Sequence, residues 1–416
     1  MHYDFDTVVD RTTSLSVKWN KDVIKSVCGN PDAEPFWVAD MDFPVAGEVA
    51  HAARDLAQHA IFGYPHAENQ RQVFCNWAKM RHQLTLAEQE VVISQGVLNS
   101  IAVLVEQLTR TGEGIIVPLP AYQPFLRIVR NLERELLSWP LLYDEESHRF
   151  SLDWAKLEAL ADKAKMLIFC SPHNPSGLVF DHETLTRLCK VAKEHDLTII
   201  CDEIHADLNF TDHVCLHTVA KEVGATAITC MAPSKTFNIA GEHYSATLFT
   251  DAGMRSGFVH RLSQLFITET STFATTLAIA SYEHGLPWLQ QLLGYLQKNA
   301  SMVEAFLAER VPQLVFIKPG ASFIGFVDCG KIMDLVEKDR AAHPELYDEK
   351  ASPGGGLLSR FFGQRAGLAF NDGTWFGGDA YRNFVRMNYG TPTSNVQRAL
   401  GKMEEAVNFL VATYES

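Results

Sequence analysis

Four short apolar runs dominate the middle of the chain: GIIVPLP from Gly114, KMLIFCSP from Lys165, LTIICDE from Leu197 and ATAITCMAPS from Ala225. Each is continuous rather than alternating and ends in turn or polar residues. That is the pattern of a strand in a parallel sheet covered on both faces. Between the runs the apolar positions change to a helical period. In LNSIAVLVEQLTR, Leu98, Ile101, Ala102, Val105 and Leu108 share one face, and in DHETLTRLCKVAKEHD so do Leu185, Leu188 and Val191, behind a cap at Asp181. Strands alternating with helices predict an α/β fold on a doubly wound, mostly parallel sheet.

From Leu289 onward the pattern changes. Helical segments surround the strand-like QLVFIKPG and SFIGFVDCG, and the chain closes on a helix through Val396, Leu400, Met403, Val407 and Leu410. This predicts a large domain over 47–288 and a smaller α+β domain built from 1–46 and 289–416. The polar stretch EKDRAAHPELYDEKASPGGG from Glu337 is expected to be a long loop.

Composition narrows the function classes. The 416 residues are 47% hydrophobic and 21% charged, with a formal net charge of −14, which excludes the basic patch of a nucleic-acid binder. No apolar run approaches a membrane span, and MHYDFDTVVDRT has no signal-peptide core. The eight cysteines include no CxxC pair, so buried thiols in a reducing, cytoplasmic compartment are expected, without disulfides or a metal site.

The chemistry gathers where predicted strands end, the edge at which open α/β sheets bind ligands. Lys235, in MAPSKTFNIAG, sits among small and apolar residues. A lysine shielded from water loses basicity and can form a Schiff base or move a proton. Ser234 beside it offers a hydroxyl for a phosphate. Asp202 follows LTIIC; alone it reads as a strand-end cap, or else as a carboxylate held ionised by a cationic ligand nitrogen. Asn174, in SPHNPSG, is an amide flanked by prolines. Gly96 opens the helix near Leu98, an anion site in waiting. Arg386, in FVRMNYGTP, suits either a surface ion pair or a substrate carboxylate. Together these are the groups that pyridoxal phosphate and an amino acid require.

In order along the chain, FGYP, SQGV, PAYQPF, SPHNPSG, CDEIHADL, SKTFNIAG and FVRMNYGTP resemble the fold-type I pyridoxal-phosphate enzymes of the class I/II aminotransferase superfamily. WVADMDFP and DEIHADL are most similar to its MalY/PatB-type branch, the cystathionine β-lyases or C–S lyases. The resemblance implies α,β-elimination from a cysteine S-conjugate, with an aminotransferase as the rival and a non-catalytic regulatory protein as a remoter alternative. It implies Lys235 as Schiff-base lysine and catalytic base, Asp202 on the pyridine nitrogen, and Asn174 and His205 on the ring oxygen. Ile204 and Tyr122 would cover the ring faces, with Tyr122 or Lys235 protonating the departing sulfur. Gly96, Val97 and Ser234 would hold the phosphate, joined by Tyr64 of the neighbouring subunit in a homodimer with composite sites. Arg386 would bind the α-carboxylate, assisted by backbone around Ala39. Two departures stand out. His243 occupies a position where many relatives carry a phosphate-binding arginine, and the polar loop from Glu337 is longer than usual for the branch. No second arginine marks a distal carboxylate, which disfavours dicarboxylate amino acids.

Overall fold

The structure is a computed structural model and describes residues 2–415. Seven strands form the central sheet: β1 (Val91–Ser94), β2 (Gly114–Leu119), β3 (Glu135–Pro140), β4 (Ala164–Cys170), β5 (Thr198–Asp202), β6 (Ala227–Met231) and β7 (Ser245–Phe249). Their order is β1-β7-β6-β5-β4-β2-β3, parallel from β6 to β3, with β7 antiparallel to both its neighbours. All four apolar runs of the sequence are therefore central, mutually parallel strands.

Their continuous hydrophobicity has a direct cause. Ile116, Leu167, Phe169, Ile199 and Cys201 point into one apolar core, while the alternating Ile115, Val117, Met166, Ile168 and Ile200 point into another on the opposite face. The helix Val97–Leu108 buries Ile101 and Val105 against the second core. The helix His182–Glu194 buries Leu185, Leu188 and Val191 against the first, and the Asp181 carboxylate caps it by accepting from Thr184 N at 2.8 Å.

A second, antiparallel sheet contains β8 (Val315–Ile317), β9 (Ile324–Asp328), β10 (Asn371–Asp372) and β11 (Phe384–Asn388), in the order β8-β9-β11-β10. It places Arg386 opposite Phe326 on one side and Asn371 on the other. The closing helix, Thr393–Tyr414, buries Val396, Leu400, Met403, Val407 and Leu410. The N-terminal segment is tied in by a short parallel pairing of Glu34–Pro35 with Leu368–Ala369.

The stretch from Glu337 is not a long loop. A helix runs Met333–Ala342, followed by a 3-10 turn at Pro344–Tyr347 and a helix at Leu357–Phe361. Its apolar anchors, Met333 and Val336, precede the polar run, so a reading begun at Glu337 misses them. The carboxylate of Asp339 then fixes the turn by accepting from Tyr347 Oη (2.6 Å), Arg365 Nη2 (2.7 Å) and Tyr414 Oη (3.0 Å). Among the described residues no helix is long and apolar enough to cross a membrane, no cluster of His, Cys, Asp or Glu could hold a metal, and all eight cysteines are free and buried.

Candidate active site

The carboxyl ends of β1, β2, β4, β5 and β6 open into one cavity of about 330 Å³, the size range of small-molecule sites. β1 delivers Gly96 and Val97, β2 Tyr122, β4 Asn174, β5 Asp202, Ile204 and His205, and β6 Ser234 and Lys235. All of these line the cavity, with Ala39 on the far wall. At Gly96 φ is +96°, a conformation suited to glycine, and it turns the chain into the helix Val97–Leu108. The first N–H groups of a helix have no partner within it, and here they lie at the cavity beside the buried Ser234 hydroxyl. Lys235 lies not in a loop but in a one-turn helix, Pro233–Thr236, directly after β6.

Burial sets the electrostatics. Desolvation pulls the Lys235 ammonium down to about 8, an effect increased by Arg386 and opposed by Asp40 and Asp202. Its Nζ donates to the Ala39 carbonyl at 2.7 Å. Desolvation also pushes the Asp202 carboxyl up to about 7, against the Ile204 N–H (2.9 Å) and the charge of Lys235. His205 donates or accepts at Nδ1 with Ser322 Oγ (3.0 Å), and burial lowers its imidazole to about 3, so the ring is neutral. Burial raises the Tyr122 hydroxyl, which stays protonated at neutral pH.

Arg386 lies behind the cavity wall rather than in it. It is 2% exposed and makes no ion pair with any described residue; Nη1 donates to Asn174 Oδ1 (3.1 Å), and Nη2 to Trp37 O (2.7 Å) and Asn371 Oδ1 (2.8 Å). Its Nε is buried with no partner, and the guanidinium carbon lies 4.9 Å from the Phe376 ring centroid. Desolvation pulls its pKa down to about 10. Since a buried charge is normally paired, a guanidinium held by neutral oxygens and a ring is prepared for an anion. Because Asn174 spends Oδ1 on Arg386, its Nδ2 is left as a donor.

These groups fit pyridoxal phosphate: an amine of lowered basicity, a carboxylate with one backbone partner, a helix N-terminus beside a hydroxyl, and a free amide donor. A model of the aminotransferase class I and II family matches residues 36–403. The chain belongs to that family. Cystathionine beta-lyase PatB of Bacillus subtilis is 35% identical over 332 residues, 78% of this chain and 84% of that protein. Protein MalY of Escherichia coli is 26% identical over 97% of this chain and 99% of its own. Among solved structures, cystalysin from Treponema denticola, which contains a pyridoxal 5'-phosphate cofactor, superposes with a TM-score of 0.86 at 27% identity, covering 99% of this chain and 100% of that one. The PLP-bound C-S lyase from Staphylococcus hominis gives 0.85 at 25% identity, over 98% of each chain.

The expected residues come from many elements to one place, Arg386 standing behind its wall. Tyr64 is the exception within a single chain: it is 97% exposed, beside Phe62 and Phe273 and outside the cavity. His243 is exposed at the Gly96 end of the cavity and bonds to no described residue. One contributor and one role escape a reading of the sequence, which names backbone around Ala39 only as an aid to Arg386. Asn371 holds the Arg386 guanidinium from β10, and the Ala39 carbonyl serves Lys235. A two-residue strand and a backbone oxygen leave no sequence pattern.

Proposed function

We infer that this chain is a pyridoxal 5'-phosphate-dependent carbon–sulfur β-lyase, converting cystathionine or a related cysteine S-conjugate to a thiol, pyruvate and ammonia. One observation carries the reading: a desolvated Lys235 amine shares a cavity with Asp202, and behind the Asn174 wall of that cavity lies Arg386, a buried cation lacking any carboxylate. The similarity to PatB favours the lyase over the aminotransferase.

Lys235 would hold the aldehyde carbon, Asp202 the pyridine nitrogen, and Asn174 and His205 the ring oxygen. Ile204 and Tyr122 would cover the ring faces, and Gly96, Val97 and Ser234 would bind the phosphate. When bound, pyridoxal phosphate supplies an electron sink for the substrate's α-carbon. Arg386 clamps the α-carboxylate in a fork and so fixes which α-substituent faces Lys235. Lys235, freed once the substrate's amine takes its place at the aldehyde carbon, is an amine of lowered basicity and takes the α-proton at Nζ. The Cα–H electron pair becomes the Cα–Cβ double bond as the Cβ–S pair leaves with sulfur. Sulfur takes its proton from Lys235 Nζ or from the Tyr122 hydroxyl, which burial keeps protonated. The released enamine hydrolyses to pyruvate and ammonia.

The same reading makes the protein a homodimer in which Tyr64 of one copy reaches the phosphate site of the other. The exposure of Ile61, Phe62 and Tyr64 in one short stretch supports it. It also keeps 47–288 as the cofactor-binding domain, with 1–46 and 289–416 as the small domain. Eight free, buried thiols suit a cytoplasmic location.

The test is to supply the cofactor-loaded protein with cystathionine and no 2-oxo acid. Catalytic release of pyruvate and free thiol is expected. Amino exchange only after a 2-oxo acid is added would make it an aminotransferase instead.

A further inference from the structure

The Ala39 carbonyl that accepts from Lys235 belongs to an irregular, bent segment, residues 36–43, that is pinned along its length. The Trp37 carbonyl is taken by Arg386 Nη2, those of Val38 and Asp40 by Asn388 Nδ2 (2.6 Å each), and that of Met41 by Asn238 Nδ2 (3.0 Å). From Phe36 to Met41, Ala39 has the one carbonyl whose partner, Lys235, must leave it to react.

Directly after Ala39 lies a buried charge cluster. Lys18 is 1% exposed, and its Nζ donates to Asp42 Oδ2 (2.8 Å) and the Asp40 carbonyl (3.1 Å). Arg11 reaches Asp42 Oδ1 (2.6 Å), Asp40 Oδ2 (3.0 Å) and the Met41 carbonyl (3.1 Å), and Trp19 Nε1 completes Asp42 at 3.2 Å. A buried ion pair is often no more stable than an apolar pair of the same volume, so stability alone does not account for one here. What two cations and two carboxylates add is direction. Their charges cancel, and all five of these bonds from Lys18 and Arg11 end on the peptides or carboxylates of residues 40–42.

We propose that Arg11 and Lys18, acting through Asp40 and Asp42, are positioning residues for Lys235: they hold the Ala39 carbonyl where it aims the amine and sets how readily it gives up its proton. The inference rests on the reading of Lys235 as the lysine that takes the cofactor aldehyde. The charged groups facing Lys235 are Asp40 from this segment, Asp202 from β5 and Arg386 from β11. His205, Tyr122, Cys170, Glu242 and His243 also line the cavity. The carbonyl accepts a stronger hydrogen bond from the ammonium than from the neutral amine, so it favours the charged form. Loosening the clamp withdraws that acceptor, and the Lys235 amine then deprotonates at lower pH but is less well aimed.

The experiment compares the full-length parent with a Lys18→Met/Asp42→Asn double variant, which leaves no buried charge alone, and with Arg11→Met and Arg11→Lys. Arg11 is partly exposed, so its variants stand in if the double variant does not fold. Each protein, freed of cofactor, is mixed with pyridoxal 5'-phosphate across a pH series, reduced with borohydride, and the Lys235 adduct is quantified by mass spectrometry. The expected result is a midpoint about one pH unit lower in the double variant; Arg11→Met also leaves the Asp40 charge facing Lys235 less compensated, so it is read by kcat, which Arg11→Lys should restore. In the cofactor-loaded variants kcat for cystathionine should fall about tenfold while KM, set by Arg386, holds within about threefold. An unchanged or higher midpoint in the folded double variant, or a kcat in Arg11→Met within about twofold of the parent, overturns the proposal. If the parent itself forms no adduct at Lys235, the reading of the active site falls, and the proposal falls with it.

Discussion

Asp202 and Asp207 end the same stretch of chain, and both are buried, yet they titrate in opposite directions. For both, burial favours the neutral acid. At Asp207 that effect is outweighed by His82 Nε2 (2.7 Å), Trp77 Nε1 (2.9 Å) and Thr236 Oγ1 (3.0 Å), and the carboxyl ends below its ordinary value. Glu203, with His213 at 2.8 Å and Leu216 N at 2.7 Å, behaves likewise. Asp202 has one backbone N–H, and its carboxyl rises to about 7. Arg386 repeats the contrast among the cations. The network around Asp207 and Glu203 satisfies its charges, and the cavity and its wall leave theirs incomplete. A folded protein tolerates such groups when a ligand completes them, which marks the cavity as a site and the Asp207 network as its scaffold.

The comparison can be broken at four points. The largest effect belongs to Lys235→Ala, which should reduce pyruvate release by at least about 10³-fold and abolish the reducible cofactor adduct, while leaving the far-UV spectrum unchanged. Arg386→Lys comes next. It keeps the charge but loses the fork, and kcat/KM for cystathionine should fall on the order of 10²-fold with much of the loss in KM. If kcat/KM survives, Arg386 is not the carboxylate clamp.

On the scaffold side, Asp207→Asn should cost about 3 kcal/mol in urea unfolding, because it leaves a buried cluster short of its acceptor. The same substitution at Asp202 should do the reverse. With its pKa raised from 3.8 to about 7, this carboxyl contributes stability in acid that is lost as pH rises through 7. Cofactor-free Asp202→Asn lacks that loss. Relative to the parent it should gain stability between about pH 4 and 7, at most about 1.4 kcal/mol per pH unit, while turnover falls. Equal pH profiles for the two proteins would erase the distinction between site and scaffold.

Much of this was legible in the chain. The four continuous apolar runs gave the central strands because burial on both faces leaves a one-dimensional trace. The polar residues just beyond them gave the site because a parallel sheet brings its carboxyl ends together. Where no such trace exists the reading failed. The helix Met333–Ala342 hid behind a polar run whose anchors came earlier, and β10, two residues long, has no pattern at all although its Asn371 holds Arg386.

The sequence by itself determined which strand ends meet at the cavity and the polar residues they carry there, though not that Arg386 stands behind its wall. Only the tertiary structure decided their state. Whether a carboxyl sits near 7 or below its usual range, and whether a guanidinium meets a carboxylate or a neutral oxygen, depends on partners distant in sequence. Asn371 and Trp37 at Arg386, Ala39 at Lys235, and His82 at Asp207 all arrive by folding. Desolvation and hydrogen bonding act over a few ångströms of space, and sequence separation has no bearing on them.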